Sequence, residues 1–221
     1  MPKVGPEYFE KKRKMIVEAT YNVCLRKPVE MVTISDVIAE TGMSQGAIYR
    51  YYDGLDAILA DMLTDLRVEY SVVDRLKEIT SDNESPFEEL TYKVCDVLAD
   101  AMERHLSDVQ KINFDMGVIA INEPQRAAKI MSGIKGVGNL EYLKSAAIPH
   151  LVMQAAKQGH RPLGDEAELA PYIASVYTGI EKYCIMAACY GTGYPNTSAD
   201  PRALFHTFAK TIILLFGGSV S

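Results

Sequence analysis

Thr33-Ile34-Ser35-Asp36-Val37-Ile38-Ala39-Glu40-Thr41-Gly42-Met43-Ser44-Gln45-Gly46-Ala47-Ile48-Tyr49-Arg50-Tyr51-Tyr52 reads as two short helices joined by a tight turn. Thr33 is placed to cap the first helix, with Asp36 three residues on at its positive end. Ile34, Val37 and Ile38 fall on one apolar stripe. Gly42 sits where that helix must stop, because a residue without Cβ adopts the left-handed conformation of a helix end at little cost. Ser44 then caps the second helix, which starts near Gln45. Ile48 and Tyr52, four apart, turn inward against the first helix and leave Gln45, Ala47, Tyr49, Arg50 and Tyr51 on or beside the outer face. A short helix held against another, with amide, guanidinium and phenol groups facing out, is a geometry that places side chains in DNA.

The order Thr-Ile-x-Asp-Val, then Thr-Gly-Met-Ser-x-Gly-x-Ile-Tyr-x-Tyr-Tyr, resembles the helix-turn-helix of the tetracycline-repressor (TetR) family. The motif covers residues 33–52, and a basic helix before it with a long helix after it extend the likeness to roughly the first third of the chain. The resemblance implies an all-α fold: a three-helix head, residues 8–66, joined by a long helix to a larger ligand-binding and dimerisation domain, residues 67–221. It also implies that Thr33, Ser44, Gln45, Gly46, Ala47, Tyr49, Arg50 and Tyr51 meet a double-stranded DNA operator. Gln45 and Arg50 would face base edges or flanking phosphates, Tyr49 and Tyr51 would give hydroxyls to phosphates, and Ala47 would touch a thymine methyl. Three residues depart from the family pattern. Leu55 stands where a phosphate-binding lysine is usual, between Asp53-Gly54 and Asp56; Ile38 stands where the side chain is usually small; Pro28 replaces a glycine that commonly closes the first helix. The first departure leaves open a second class of function, a helical dimer that acts through protein partners or a ligand with weak DNA binding.

Composition fits a globular chain. With 221 residues, 48% of them hydrophobic, it can bury the core of one large or two small domains. No apolar run is long enough to cross a bilayer, and Lys11-Lys12-Arg13-Lys14 interrupts the first twenty residues without a secretory apolar core behind it, which predicts a cytoplasmic protein with no membrane association. Cys24, Cys95, Cys184 and Cys189 lie among apolar neighbours and read as buried, reduced thiols. Cys184 and Cys189, five apart on a helix, do not point the same way and so do not share a metal. No cofactor is implied. The net charge of −6 divides unevenly: Met1 to Tyr52 holds eight Lys or Arg against six Asp or Glu, a net +2, which leaves −8 for the rest. The four consecutive cations at residues 11–14 can approach phosphates.

Apolar spacings of three and four recur through the chain, and no alternating strand pattern lasts. Helices are predicted over Tyr8 to Arg26, ended by Pro28; over Leu55 to about Ile79 as one long helix; and over Phe87 to Leu106 after the polar loop Thr80–Pro86. Shorter ones follow around Asp108–Ile121 and Glu123–Met131, then a glycine loop at Gly133, Gly136 and Gly138. A helix over Leu140–Gln158 carries Pro149 as a kink. The last two, Asp165 to Tyr190 and Pro201 to Phe216, carry the stripes Ile173, Val176, Ile180 and Leu204, Phe208, Ile212. By the resemblance, these two helices pair across a two-fold axis, and the chain is a homodimer. The resemblance further implies a small-molecule effector, for which Tyr92, Met102, His105, Phe114, Met116, Tyr142, His150, Met153 and Tyr177, with Phe87 nearby, supply aromatic, sulfur and a few polar groups. That mixture points to a small, largely apolar ligand. Nothing has the spacing of a metal site or a catalytic triad, so the reading is a regulator and not an enzyme.

Overall fold

Thr33 and Ser44 cap the helices they precede, and the motif is built around those caps. In the computed structural model, which describes residues 5–190 and 199–220 and, within them, leaves out the side chains of residues 166, 189 and 190, α1 is Pro6–Arg26, α2 is Ile34–Thr41 and α3 is Gln45–Ile48. The Asp36 N–H donates to Thr33 Oγ1 at 3.3 Å while the Thr33 N–H donates to Asp36 Oδ2 at 2.7 Å, which satisfies two helix-start donors reciprocally. Gly42 closes α2 at φ +67°, where a Cβ would be strained. The Ala47 N–H donates to Ser44 Oγ at 3.3 Å. Regular α-helix stops at Ile48 instead of running to Tyr52. Tightened bonds from Arg50 N–H to the Ala47 carbonyl and from Tyr51 N–H to the Ile48 carbonyl, at 3.4 and 2.9 Å, carry the chain through a final turn of the 3₁₀ kind.

Among the described residues the fold is entirely helical, and it separates into two compact units. The first comprises residues 1–69 with 111–136, the second residues 70–110 with 137–221. The expected single division near residue 66 lies close to the first crossing. The return of residues 111–136 to the head was not expected from the sequence.

In the first unit, α4 (Leu55–Glu69) packs on α1 and on α8 (Pro124–Gly133). Ile16, Val37, Ile48, Ile58, Leu59 and Met62 are fully or almost fully buried in this head. The contact of α8 with α4 is close: a Cβ built on Gly133 would lie 2.8 Å from the Ala60 Cβ. Helix α7 (Val109–Asn122) is held by its own polar pair. Lys111 Nζ donates to the Cys24 carbonyl at 2.9 Å and to Asp115 Oδ2 at 2.7 Å, and Asp115 accepts from the Val29 N–H at 3.1 Å. A lysine from α7 thereby takes one of the carbonyls left open at the end of α1.

In the second unit, α6 (Phe87–His105) and α12 (Pro201–Leu215) form the central pair, with Phe87, Leu90, Phe205 and Ile213 fully buried. The predicted continuous helix from Leu55 to Ile79 is broken. Helix α5 (Val73–Ser81) starts anew, and side chains meet the backbone freed between Glu69 and Val73: the Val72 N–H donates to Asn139 Oδ1 at 3.0 Å, Asn139 Nδ2 donates to the Tyr70 carbonyl at 3.4 Å, and the Val73 N–H donates to Ser71 Oγ at 3.2 Å. The predicted kinked helix over Leu140–Gln158 is three pieces, α9 (Asn139–Tyr142), a π turn (Leu143–Ala147) and α10 (Ile148–Lys157). Pro149 explains the π turn. Its ring crowds the carbonyl four residues back and it brings no N–H, so the helix widens and the Ile148 N–H donates to the Leu143 carbonyl five residues back. Helix α11 spans Glu166–Tyr190 with Pro171 in its first turns. Cys24, Cys95 and Cys184 are free and buried; the side chain of Cys189 lies outside the described residues. No described helix is long and apolar enough to cross a membrane.

Candidate nucleic-acid interface and effector cavity

The outer face of the helix-turn-helix follows from its inner one. Ile48 is fully buried and Tyr52 nearly so, which turns Ser44, Gln45, Gly46, Tyr49 and Arg50 to solvent and leaves Ala47 and Tyr51 half-buried. Thr33 is exposed at the start of α2, its hydroxyl and N–H both bonded to Asp36. Its role in the structure is to cap. Gln45, Tyr49 and Arg50 form one exposed polar patch at and beside α3. Tyr51 is partly covered by Phe9, ring centroids 4.6 Å apart.

The basic run of α1 is not one surface. Arg13 turns in: its guanidinium pairs with Asp61, donates to the Tyr51 carbonyl at 3.3 Å and lies 4.5 Å from the centre of the Tyr52 ring. Asp61 also accepts from the Tyr52 hydroxyl at 2.8 Å, and burial with this bond pushes the Tyr52 phenol above its ordinary range. Arg13, Asp61 and Tyr52 thus tie α1, α4 and the end of the recognition segment together. Lys11 and Lys14 stay exposed, and the Lys12 ammonium lies 5.8 Å from the Tyr8 ring centre. Arg26 pairs with Glu40 and Lys27 with Asp36 at 2.8 Å. The Lys27 ammonium and the Thr33 hydroxyl hold the Asp36 carboxyl down at about 2. Among the described residues, the cations left without an ion pair around the motif are therefore Lys11, Lys12, Lys14 and Arg50. At the start of α4, Leu55 is half-buried, and Asp56 beside it is paired with Arg126 at 3.0 Å and Lys129 at 3.5 Å from α8.

The nine residues expected around an effector are dispersed. Phe114 and Met116 lie in the first unit and the other seven in the second. His150 serves the loop before α6: its Nε2 lies 3.0 Å from the Asp82 carbonyl, one turn from Gln154, which donates to Asn83 at 3.1 Å. His105 stacks edge-on against Tyr70 and sits 3.5 Å from Asp108. Tyr142 shares a hydrogen bond with Thr80 at 3.0 Å, and Tyr92 stacks against His206. Met102 is core and Met153 is 42% exposed.

Of the nine, Tyr177 lines a cavity in the second unit. The cavity measures about 50 Å³ and is bounded by side chains of α6, α9, the π turn, α10, α11 and α12, among them Val94, Cys95, Leu98, Leu143, Ile148 and Leu151. Sequence reasoning missed these because each is an ordinary core residue on an ordinary apolar stripe. Three residues expected at a dimer seam, Ile173, Phe208 and Ile212, line this cavity instead and are buried within the single chain. Val176, Ile180 and Leu204 are half-buried. The faces that α11 and α12 leave in solvent are Tyr172, Ser175, Gly179 and Tyr183 on one and Ala203, Thr207 and Leu214 on the other.

Residues 16–62 match the model of bacterial regulatory proteins of the tetR family. The same region is similar to the HTH-type transcriptional regulator PksA of Bacillus subtilis, 37% identical over 70 residues, covering 32% of this chain and 33% of that protein. An uncharacterized HTH-type regulator of the same organism, YfiR, is 38% identical over 55 residues, covering 25% and 27% respectively. The chain therefore matches about a third of the length of the first relative. Solved structures extend the likeness of fold. A bacterial regulatory protein in the tetR family from Rhodococcus superposes with a TM-score of 0.59 at 15% identity, over 94% of this chain and 98% of that one. FadR of Thermus thermophilus, a TetR-family transcriptional repressor solved with lauroyl-CoA, gives 0.54 at 16% identity, over 95% and 96%.

Proposed function

Because the chain belongs, through residues 16–62, to the tetR family of bacterial regulatory proteins, we infer that it is a ligand-responsive transcriptional repressor that binds DNA as a homodimer. The observation that carries the reading is the exposed patch Gln45, Tyr49, Arg50 on a segment whose opposite side, Ile48 and Tyr52, is locked into the head. Base-reading side chains must be held on a rigid support to discriminate, and each good bidentate contact contributes about 1–3 kcal/mol against the wrong base. Lys11, Lys12 and Lys14 supply phosphate contacts that fix register without reading sequence.

The dimer forms through the solvent faces of α11 and α12, around Tyr172, Gly179 and Leu214, and a two-fold pair of heads reads half-sites about 34–36 Å apart. An apolar effector in the second unit favours a conformation whose heads no longer match that spacing. A coupling of about 1–3 kcal/mol weakens operator binding by roughly 5- to 150-fold. The lauroyl-CoA bound by the FadR relative and the apolar cavity here both support an effector with a large apolar part.

Selection of bound fragments from random duplex DNA tests the reading. The wild type enriches a near-palindrome, Gln45→Ala and Arg50→Ala each relax one position of it, and Leu214→Asp yields monomers on size-exclusion with light scattering. No enriched sequence for the wild type overturns the regulator reading and favours a helical dimer that works through protein partners.

A further inference from the structure

Resting on the reading of the second unit as an effector domain, we propose that its cavity is the deep end of a site for an aliphatic chain carrying an anionic head, the head meeting Lys144 at the rim. The depth of the cavity offers a ligand no hydrogen bond. Thr91 is its buried hydroxyl, and that hydroxyl already donates to the Phe87 carbonyl at 2.8 Å. Cys95 is fully enclosed, and burial pushes its thiol up to about 12, so it remains a neutral, weakly polar group. A polar ligand group carried into such a place would lose its water without replacement. An aliphatic segment loses nothing there.

The cavity surface itself is apolar: Tyr177 lines it with its ring and Lys144 with its aliphatic stem, and the Lys144 side chain is exposed and makes no ion pair among the described residues. No carboxylate lines the cavity. Lys144 is the one charged residue in the described lining, so the rim favours an anion over a cation. Leu140, one turn before Lys144, also lines the cavity and is 45% exposed, which locates the mouth beside that lysine.

A space of about 50 Å³ holds one or two water-sized groups, far less than the ~300 Å³ at the low end of ligand pockets. The wall that yields is the π turn. Leu143, Lys144 and Ile148 all line the cavity, and they belong to or adjoin the turn that Pro149 prevents from closing as α-helix. Interruptions of this kind concentrate at functional sites because the local backbone ladder is already incomplete. Movement of Leu143–Ala147 widens the mouth and carries Lys144 with it, so the residue that opens the site is also the one that meets the head.

Calorimetric titration of the full chain without DNA, below micelle formation, tests this with three ten-carbon probes: decanoate, decanol and decyltrimethylammonium. Decanoate is expected to bind at least tenfold tighter than decanol, with no detectable binding of the ammonium probe. Lys144→Gln brings decanoate to the level of decanol and leaves decanol unchanged. Ala174→Phe, filling the cavity from α11 while the circular-dichroism melt still shows a folded chain, removes both. Absence of binding by all three probes, equal binding of anion and cation, or unaltered selectivity in Lys144→Gln each overturns the proposal. Because no DNA is present, chain binding without any operator would retain this inference and refute the regulator reading. Operator binding without chain uptake would do the reverse.

Discussion

Arg13 lies in the middle of a cationic run, yet its contacts make it a strut. In Arg13→Ala the head loses the bond to the Tyr51 carbonyl at 3.3 Å, the guanidinium over Tyr52 and the ion pair with Asp61. The first contributes about 1 kcal/mol and the second about 0.5–1 kcal/mol at a partly exposed position. The side chains of the ion pair are 29% and 30% exposed, so solvent screening limits it to at most about 1 kcal/mol. The contacts share one side chain and are not additive; a loss of about 2 kcal/mol is expected, which for a chain of this size lowers the melting temperature by roughly 4–8 °C. Lys14→Ala, at an exposed position one residue on, leaves the melt unchanged and flattens log affinity against log salt by about 0.9. Thermal melts followed by circular dichroism, with operator titrations at several salt concentrations, separate the two roles. An Arg13→Ala chain that melts like wild type but binds with a flatter salt slope would refute the strut and restore Arg13 to the phosphate contacts.

Three other outcomes are expected. Gly133→Ala forces a Cβ to within 2.8 Å of the Ala60 Cβ, a rigid side chain on a packed helix, so the urea midpoint falls with an unchanged slope, corresponding to about 1–3 kcal/mol. Leu55→Lys, at the half-buried first position of α4, steepens the salt dependence of operator binding by about 0.9 if the new ammonium reaches a phosphate; an unchanged slope with a lower melting temperature places Leu55 in the core. Asp36 is held at about 2 by Lys27 and Thr33, below its unfolded value of about 3.9. Its contribution is complete above pH ~4 and is lost as pH falls toward 2. The melting-temperature gap between wild type and Asp36→Asn is therefore expected to close across that window, and a gap that stays constant there would show that the charge of Asp36 is immaterial.

What was legible in the sequence was local. The caps at Thr33 and Ser44, the left-handed stop at Gly42 and the proline start of α12 act within one turn of chain, so residue identity suffices to place them. The outward set Gln45, Tyr49 and Arg50 was legible for the same reason: with Ile48 and Tyr52 inward, helical periodicity leaves these outside. Helix periodicity alone could not say which apolar stripe faces the interior of one chain and which faces another. Ile173, Phe208 and Ile212 look like a seam on paper and line an internal cavity in the fold.

The rest depended on residues far apart in the chain. Arg13 reads as one of four equal cations until Asp61, 48 positions later, takes its charge. The segment from Leu55 to Ile79 carries one helical pattern, and it breaks at Tyr70 because Asn139 supplies the hydrogen bonds that a helix would otherwise have to make for itself. Residues 111–136 join the head through Lys111 and Asp115, which meet the open backbone groups at the end of α1 and at Val29. Sequence by itself determined where helices can start and stop and which short face is polar, because those are decided by backbone geometry within a few residues. Tertiary structure alone decided which charges are spent inside the molecule, where a helix yields, and where an apolar stripe encloses empty space, because each depends on a partner that only folding brings near.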